Sequence, residues 1–415
     1  MAKKNVRALD VRGRRILIRA DLNVPQDDKQ AITDDRRIRM FLPTLRDIVE
    51  RGGRAIVMSH LGRPVGDAKK DAPFTLRPVA TRLQELIGRP VKFVAPCEGA
   101  EAKQAAMSLK DGEVLLLENL RFNPAETIID LKKKNPDGKL TPEQDAKREA
   151  FATAIAGLGE AYVNDAFGTC HRKHVSMYDV PQKMPAGNRV VGFLVEKELK
   201  YLGEALKEPK RPFVAVLGGA KVSDKISVIR ALLPKVDQIL IGGAMTYTFH
   251  AAQGKNVGKS LCERDKLDLA KELIAAGGAK LRLPSDSVCA AELKAGVATK
   301  VCGTDIPADL MGLDIGPDTL ETYRSIIGKA GTVVWNGPVG AFETQPFEKG
   351  TFALAHAIAD ATSRGTITII GGGDSAAAIE DSGLAERVSH VSTGGGASLE
   401  FLEGKPFATV EILDA

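Results

Sequence analysis

The chain has 415 residues, of which 44% are hydrophobic, 27% charged and 5% aromatic, and it carries a formal net charge of +5. This is the composition of a soluble globular α/β protein; it excludes a disordered chain and, with no apolar run near the ~18 residues of a spanning helix, a membrane-embedded one. Two large domains fit the length, at roughly one domain per 150 residues, and five scattered cysteines without CxxC spacing exclude a disulfide framework or zinc ribbon and suit a reducing cytoplasm.

From the N-terminus, the basic opening "MAKKNVRALDVRGRR" lacks the apolar core of a secretory signal. Short β-rich apolar runs then alternate with amphipathic helical segments. In the first half, strands are expected at "RILIRAD", "AIVMSH", "VKFV", "EVLLLEN" and "AYVNDA", with helices near residues 38–51, 76–87 and 142–157. The polar stretch 123–149, with its "PDG" turn, reads as an insertion bulging from the surface. "GFLVEKELKYLGEALKEPKRP" reads as a connecting helix of about 12 residues closed by two prolines. In the second half, strands are expected at "FVAVLGG", "QILIGG", "LRLPSD", "TVVWNG" and "TITIIGG", again with helices between. Several are continuous apolar runs, as parallel strands covered on both faces are. The fold class is therefore α/β, with two Rossmann-like domains containing parallel sheets, joined by an interdomain helix and hinge. The expected boundaries are 1–188, with the tail 403–415 packing back on that domain, and 189–402, beginning with the connecting helix.

Charge is unevenly spread. Residues 1–190 hold 34 Lys and Arg against 25 Asp and Glu, a balance of +9, while residues 191–415 hold 24 against 28, or −4; 19 of the 26 arginines lie in the first part. Basic runs interleaved with aromatics are missing, which argues against a nucleic-acid binder, and the planar guanidinium favours carboxylate or phosphate. A small acidic ligand is expected in the first half.

Parallel α/β domains collect functional groups where strands end and loops begin. "RADLNVP" ends on Asp21 and Asn23, "MSHLGRP" on His60 and Arg63, "LENLRF" on Arg121, and "NDAFGTCHRKH" on His171, Arg172 and His174; "DDRRIR" adds Arg37. Any one of these is an ordinary surface or structural polar residue. Basic loops at four successive strand ends, however, repel one another unless an anion neutralises them. The stretch "DAFGTCHRKH" (165–174) also admits a zinc site or a thiol nucleophile. Zinc would need further ligands and would sit beside Arg172 and Lys173, and nothing else points to an acyl or disulfide target for Cys170, so a bed for an anion is the preferred reading.

The second half ends its strands on glycines, in "LGGAKVSDK", "IGGAMTY", "WNGPVGAFE", "IGGGDS" and "VSTGGGAS". Glycine lets backbone amides approach a phosphate, and a following helix N-terminus favours its charge. Lys221 and Lys225, spaced i to i+4 on the helix expected after the first turn, can place two ammonium groups along a phosphate chain. Asp374, directly after Gly371, Gly372 and Gly373, is the candidate carboxylate for a Mg²⁺ that bridges phosphates. "GKNVGKS" (254–260) looks like a P-loop, but Gln253 stands where the pattern wants its first glycine and the stretch follows a helix, so it is set aside.

Nine motifs, "RADLNVP", "SHLGRP", "LENLRF", "NDAFGTCHRKH", "LGGAKVSDKI", "GLDIGP", "WNGPVGAFE", "GGGDS" and "STGGGASLEFLEGK", together resemble the phosphoglycerate kinase family, in its order and along nearly the whole chain. The resemblance implies a cytoplasmic, monomeric glycolytic and gluconeogenic enzyme that moves a phosphoryl group reversibly between 1,3-bisphosphoglycerate and ADP, giving 3-phosphoglycerate and ATP. Mg²⁺ accompanies the nucleotide, and neither nucleic acid nor membrane is a partner. For the acid substrate it implies Asp21, Asn23, Arg37, His60, Arg63, Arg121 and Arg172, to which the strand-end reading adds His171. For the nucleotide it implies Gly219, Lys221, Lys225, Gly312, Asn336, Glu343 on the ribose, Gly371, Gly372, Gly373, Asp374 with the metal and Ser375, with Gly242, Gly243 and Leu313 around the adenine. Arg37, Lys221 and the Gly373 amide would surround the moving phosphoryl group after the domains close. The chain departs from the family pattern at Ala244, at Cys170 and in the longer polar segment after "LRFNP". A dinucleotide oxidoreductase is opposed by the lack of GxGxxG after a strand, and a non-catalytic anion-binding scaffold by the presence of both phosphate-cradling glycines and candidate magnesium and arginine ligands.

Overall fold

A computed structural model of the chain describes residues 3–133 and 135–415. Met1, Ala2 and Lys134, which the first expected domain includes, lie outside the described residues. Two compact units emerge, one running to Leu199 and joined by Pro406–Ala415, the other Lys200–Lys405.

The first unit is built on strands β1 (Arg15–Ala20), β2 (Arg54–Met58), β3 (Val91–Val94), β4 (Val114–Leu117), β5 (Ala161–Asp165) and β6 (Arg189–Val191), all parallel, in the order β3-β4-β2-β1-β5-β6. Arg19 apart, the buried residues of β1, β2 and β4 are apolar along both faces because helices cover both. The helix Arg36–Glu50 shows how: Ile38, Phe41, Leu42, Leu45, Ile48 and Val49 recur at three- and four-residue spacing and are buried in one cluster with Ile16 and Ile18 of β1. Each such side chain contributes about 1.5–3 kcal/mol when fully buried. The chain's last residues return to this unit, where Thr409 Oγ1 donates to the Cys170 carbonyl at 2.5 Å and Lys4 N to the Asp414 carbonyl at 3.0 Å.

The stretch 123–149 does not simply bulge. Pro124–Lys133 forms 3-10 turns in which Ala125, Glu126 and Ile128 are buried, and Val175 N donates to the Glu126 carbonyl at 3.0 Å. Glu126 is drawn inward because its carboxylate faces the buried Arg19, an electrostatic cause that hydropathy does not register. Pro142–Ala156 is a helix started by a capping box, with Gln144 N donating to Thr141 Oγ1 at 3.2 Å and Thr141 N to Gln144 Oε1 at 2.9 Å.

In the second unit β7 (Phe213–Leu217), β8 (Gln238–Ile241), β9 (Leu281–Arg282), β13 (Thr332–Asn336), β14 (Ile367–Gly371) and β15 (His390–Val391) form a second parallel sheet, ordered β15-β14-β13-β7-β8-β9. Between β9 and β13 the chain adds an antiparallel sheet of β10 (Ser287–Ala290), β11 (Lys300–Cys302) and β12 (Met311–Ile315), ordered β11-β10-β12. No expected strand covered this sheet, since its strands are short and mixed in polarity.

The connecting helix runs Phe193–Lys207 and is 15 residues long. Its first amides are capped within the first unit: Phe193 N donates to Thr44 Oγ1 at 2.9 Å, and Leu194 N and Val195 N to Asp165 Oδ1 at 2.9 and 3.2 Å. Among the described residues no helix is long and apolar enough to cross a membrane.

Candidate active site

In the first unit the loops after β1, β2, β4 and β5 leave the same sheet edge, and a hydrogen-bond thread ties them. Gly62 N donates to Asn23 Oδ1 at 2.8 Å, and Arg121 Nη1 donates to the Gly62 carbonyl at 2.7 Å. Asp21, at the end of β1, accepts from Arg37 at the start of its helix. His60 is buried, its Nδ1 3.1 Å from Arg19 Nη2. Arg172 Nε donates to His171 Nε2 at 3.2 Å, and its Nη1 lies 3.9 Å from Asp130 Oδ2. Arg63, next to Gly62, is exposed, with no hydrogen bond or ion pair among the described residues.

Electrostatics show that these groups form one cluster. Burial, followed by the charges of Arg19, Arg121, His174 and Arg37, pushes the His60 imidazole well below its usual range. Burial and then Arg172 and His174 lower His171 to about 4. Arg121 is lowered to about 10, by burial first and then by Arg19 and Arg172. Burial is the first cause for all three, and the neighbouring positive charges add to it, so an anion placed among them would meet several cations at once. His171 Nδ1 and Arg121 Nε are, in addition, buried and without a hydrogen-bond partner. Such an arrangement of basic groups and unpartnered donors could receive a small, highly charged anion.

Its foundation was missed from sequence. Arg19 is fully buried, with Nε donating to Ser176 Oγ at 2.8 Å and Nη1 to the Ala20 carbonyl at 2.5 Å, while Ser176 donates through Oγ and N to Glu126 at 2.6 and 2.9 Å. The available signal was a lone arginine inside the apolar strand "RILIRAD". Cys170, by contrast, is buried with its thiol pushed up to about 12 by desolvation, which leaves it a poor nucleophile.

The second unit carries two adjoining cavities. One, of ≈ 400 Å³, is the more polar: Gly219, Lys221, Asp224, Lys225, Asn336, Gly372, Gly373, Asp374 and Ser375 line it, with Gly395 and Gly396 of the expected "VSTGGGAS" turn. Lys225 donates to Asn336 Oδ1, and burial lowers its ammonium despite Asp224 and Asp374. Asn336 Nδ2 is buried without a partner. The helix Gly373–Asp381 opens on this cavity, with Asp374 in its first turn, and Ser375 Oγ accepts from Gly337 N at 2.5 Å. Lys221 is exposed.

Lys221 and Lys225 do not share a helix. The helix begins at Ile226, and 220–225 is a turn, because Ser223 donates through N and Oγ to Glu263 at 3.0 and 2.5 Å and is drawn out of a helical ladder.

The other cavity, of ≈ 480 Å³, is largely apolar. Gly243, Gly312, Leu313 and Glu343 line it, together with Ala244, where the chain departs from the family pattern, and Tyr247, Lys259, Leu261, Leu293, Met311 and Val339, to which sequence reasoning assigned no role. Gly243 has φ +69, and a Cβ there would stand 2.5 Å from Gly219 N, so only glycine lets these two turns approach. Gly242 packs against Val339 and Gly371 beside Asn336, behind the cavity walls. The cavities share Gly219, Ala220 and Asp374, so an elongated ligand with an apolar ring at one end and anionic groups at the other would fit.

The family model for phosphoglycerate kinase matches residues 6–405. A phosphoglycerate kinase of Rhodopirellula baltica is 53% identical over 417 residues, and one of Chlorobaculum tepidum 51% over 418, with both chains fully covered in each case. Among solved structures, phosphoglycerate kinase from Coxiella burnetii aligns at TM-score 0.82 with 37% identity, and that from Pyrococcus horikoshii at 0.83 with 29%; each match covers 99% of this chain and 98% of the other.

Proposed function

Because the chain belongs to the phosphoglycerate kinase family, and so transfers a phosphoryl group reversibly between 1,3-bisphosphoglycerate and ADP, we propose that its two ligand sites are divided between its two units. The first unit binds the phosphoglycerate with Asp21, Asn23, Arg37, His60, Arg63, Arg121, His171 and Arg172. The second binds the nucleotide, its phosphates along Lys221, Lys225, Asn336, the Gly372 and Gly373 backbone and Ser375, its ribose at Glu343, and its base among Gly243, Gly312 and Leu313, with Gly242 and Gly371 supporting the walls from behind. The observation that carries this reading is the contrast between an anion-hungry cluster of bases in one unit and a paired polar and apolar cavity in the other.

The acceptor carboxylate of 3-phosphoglycerate is already ionised at neutral pH, so transfer needs no strong base. The protein holds two anionic ligands in line and neutralises the charge on the moving group. Arg37, Lys221 and the Gly373 amide do this once closure of the units brings the ligands together and excludes water.

Asp374 and Asp224 supply hard oxygen donors in the polar cavity, which suit Mg²⁺. Among the described residues no three His, Cys, Asp or Glu stand together, so such an ion would keep phosphate and water oxygens as its remaining ligands. When bound, Mg²⁺ supplies neutralisation of the phosphate charge. The protein is read as a monomer, since each proposed site is composed of this chain's own residues, and as cytoplasmic, since its family is glycolytic and its five cysteines are free thiols.

Calorimetry tests the division. Arg63→Ala and Arg172→Ala should weaken 3-phosphoglycerate and leave Mg-ADP affinity unchanged, while Lys225→Ala and Asp374→Ala should do the reverse. A crossed pattern would refute the assignment.

A further inference from the structure

The P-loop lookalike at 254–260 ends beside a residue that the proposed chemistry leaves idle. Lys259 lines the apolar cavity, is exposed, and has no hydrogen bond or ion pair through its ammonium among the described residues. It stands toward the end that would receive the base. The shared, phosphate-side residues of the two cavities are Gly219, Ala220 and Asp374, and Lys259 does not line the polar cavity. Its own neighbours are Leu261, which lines the apolar cavity, and Leu310, whose carbonyl accepts from Lys259 N at 2.8 Å next to Met311.

The cavity is otherwise poor in donors. The amides of Gly243, Ala341, Gly340 and Gly312 are committed to Val339 O (2.9 Å), Leu313 O (2.8 Å), Thr351 Oγ1 (3.1 Å) and Ser260 Oγ (2.9 Å). The Tyr247 hydroxyl is buried against Gly312, where a Cβ would come within 2.0 Å of its oxygen, and it is hydrogen-bonded to Ser287. The carboxylates of Glu343 and Asp374 only accept. Lys259 is therefore the one lining side chain among the described residues with donors free for a base edge. Adenine presents an amino donor at its 6-position, whereas guanine and hypoxanthine present a carbonyl oxygen there. The N7 acceptor is common to all three bases, so an ammonium at that edge gains a second acceptor, the 6-oxo oxygen, only from guanine or hypoxanthine.

We propose that Lys259 is a specificity-determining residue that donates to the 6-oxo oxygen of guanine and hypoxanthine nucleotides and so sets their affinity relative to ADP. The proposal rests on the reading of this cavity as the nucleotide-base site.

The test is calorimetric binding of Mg-ADP, Mg-GDP and Mg-IDP to the wild type, Lys259→Met, Lys259→Arg and Lys225→Ala. The expected result is that Lys259→Met weakens GDP and IDP about fivefold and ADP less than twofold, the loss of one charge-assisted contact at an exposed rim. Lys259→Arg should keep the wild-type ratios. Equal weakening of all three nucleotides, or none, in Lys259→Met overturns the proposal. Lys225→Ala, in the adjoining polar cavity, separates the two readings: if it weakens all three alike, the phosphate end of the nucleotide site stands whatever Lys259 does. If it weakens none, the site reading fails and the proposal falls with it.

Discussion

Arg121→Ala should weaken 3-phosphoglycerate binding strongly while hardly changing the stability of the free protein. Arg121 gives one hydrogen bond to the Gly62 carbonyl, at 2.7 Å, and its buried Nε has no partner. Losing that bond costs about 1 kcal/mol net. Against this, truncation removes a guanidinium whose hold on its proton is lowered to about 10 by burial and by the charges of Arg19 and Arg172, so desolvation and repulsion are relieved together. The two effects oppose one another, and the free protein should keep its stability to within about 1 kcal/mol. Nothing offsets the loss in the complex. One charge-assisted contact to a phosphate is worth about 1.5–3 kcal/mol, or roughly 10- to 150-fold in Kd. Calorimetry at fixed ionic strength, paired with urea unfolding, reads both quantities. Arg121→Lys should fall between wild type and Ala, because an ammonium keeps the charge and loses the planar fork. Unchanged Kd in Arg121→Ala would refute the reasoning, as would weakened binding accompanied by a stability loss above about 3 kcal/mol, the mark of a structural residue.

Arg37→Ala and Lys221→Ala should each lose roughly two decades of kcat with little change in the binding of either substrate alone, since both act on the transferring group; small-angle scattering should show compaction only with both substrates bound, and a normal kcat in Arg37→Ala would count against the proposed role. Imidazole NMR should place His171 near 4. Its folded pKa lies below the unfolded value, so the unfolded chain takes up the extra proton, and stability should fall as pH drops from about 6.5 toward 4, a limb that His171→Gln flattens; titration of His171 near 6.5 would contradict this. Iodoacetamide at pH 7.5 should label the half-exposed Cys262 before the buried Cys170 in native protein, and Cys170→Ala should remain active; early labelling of Cys170 by mass spectrometry would reopen the thiol reading.

The α/β class and the central strands were legible because a parallel strand covered on both faces must be apolar throughout, and runs such as "RILIRAD" and "TVVWNG" state that locally. The basic loops and glycine turns were legible for a similar reason: they follow those strands directly, so finding a strand end finds the residues beyond it. Arg19 and Glu126 were hidden. One lies inside an apolar strand, the other in a polar stretch that looked like surface, and their pairing across 107 positions has no local trace. Lys221 and Lys225 carried a helical spacing, yet Glu263 bonds Ser223 and turns the segment aside. Lys259 sat in a motif rejected for sound local reasons, and only the path of β12 brought it to the cavity beside Leu310 and Met311. Periodicity and turn chemistry record the environment of a residue and its near neighbours; which distant charges meet depends on how strands are ordered and how loops close, and those are properties of the packed chain.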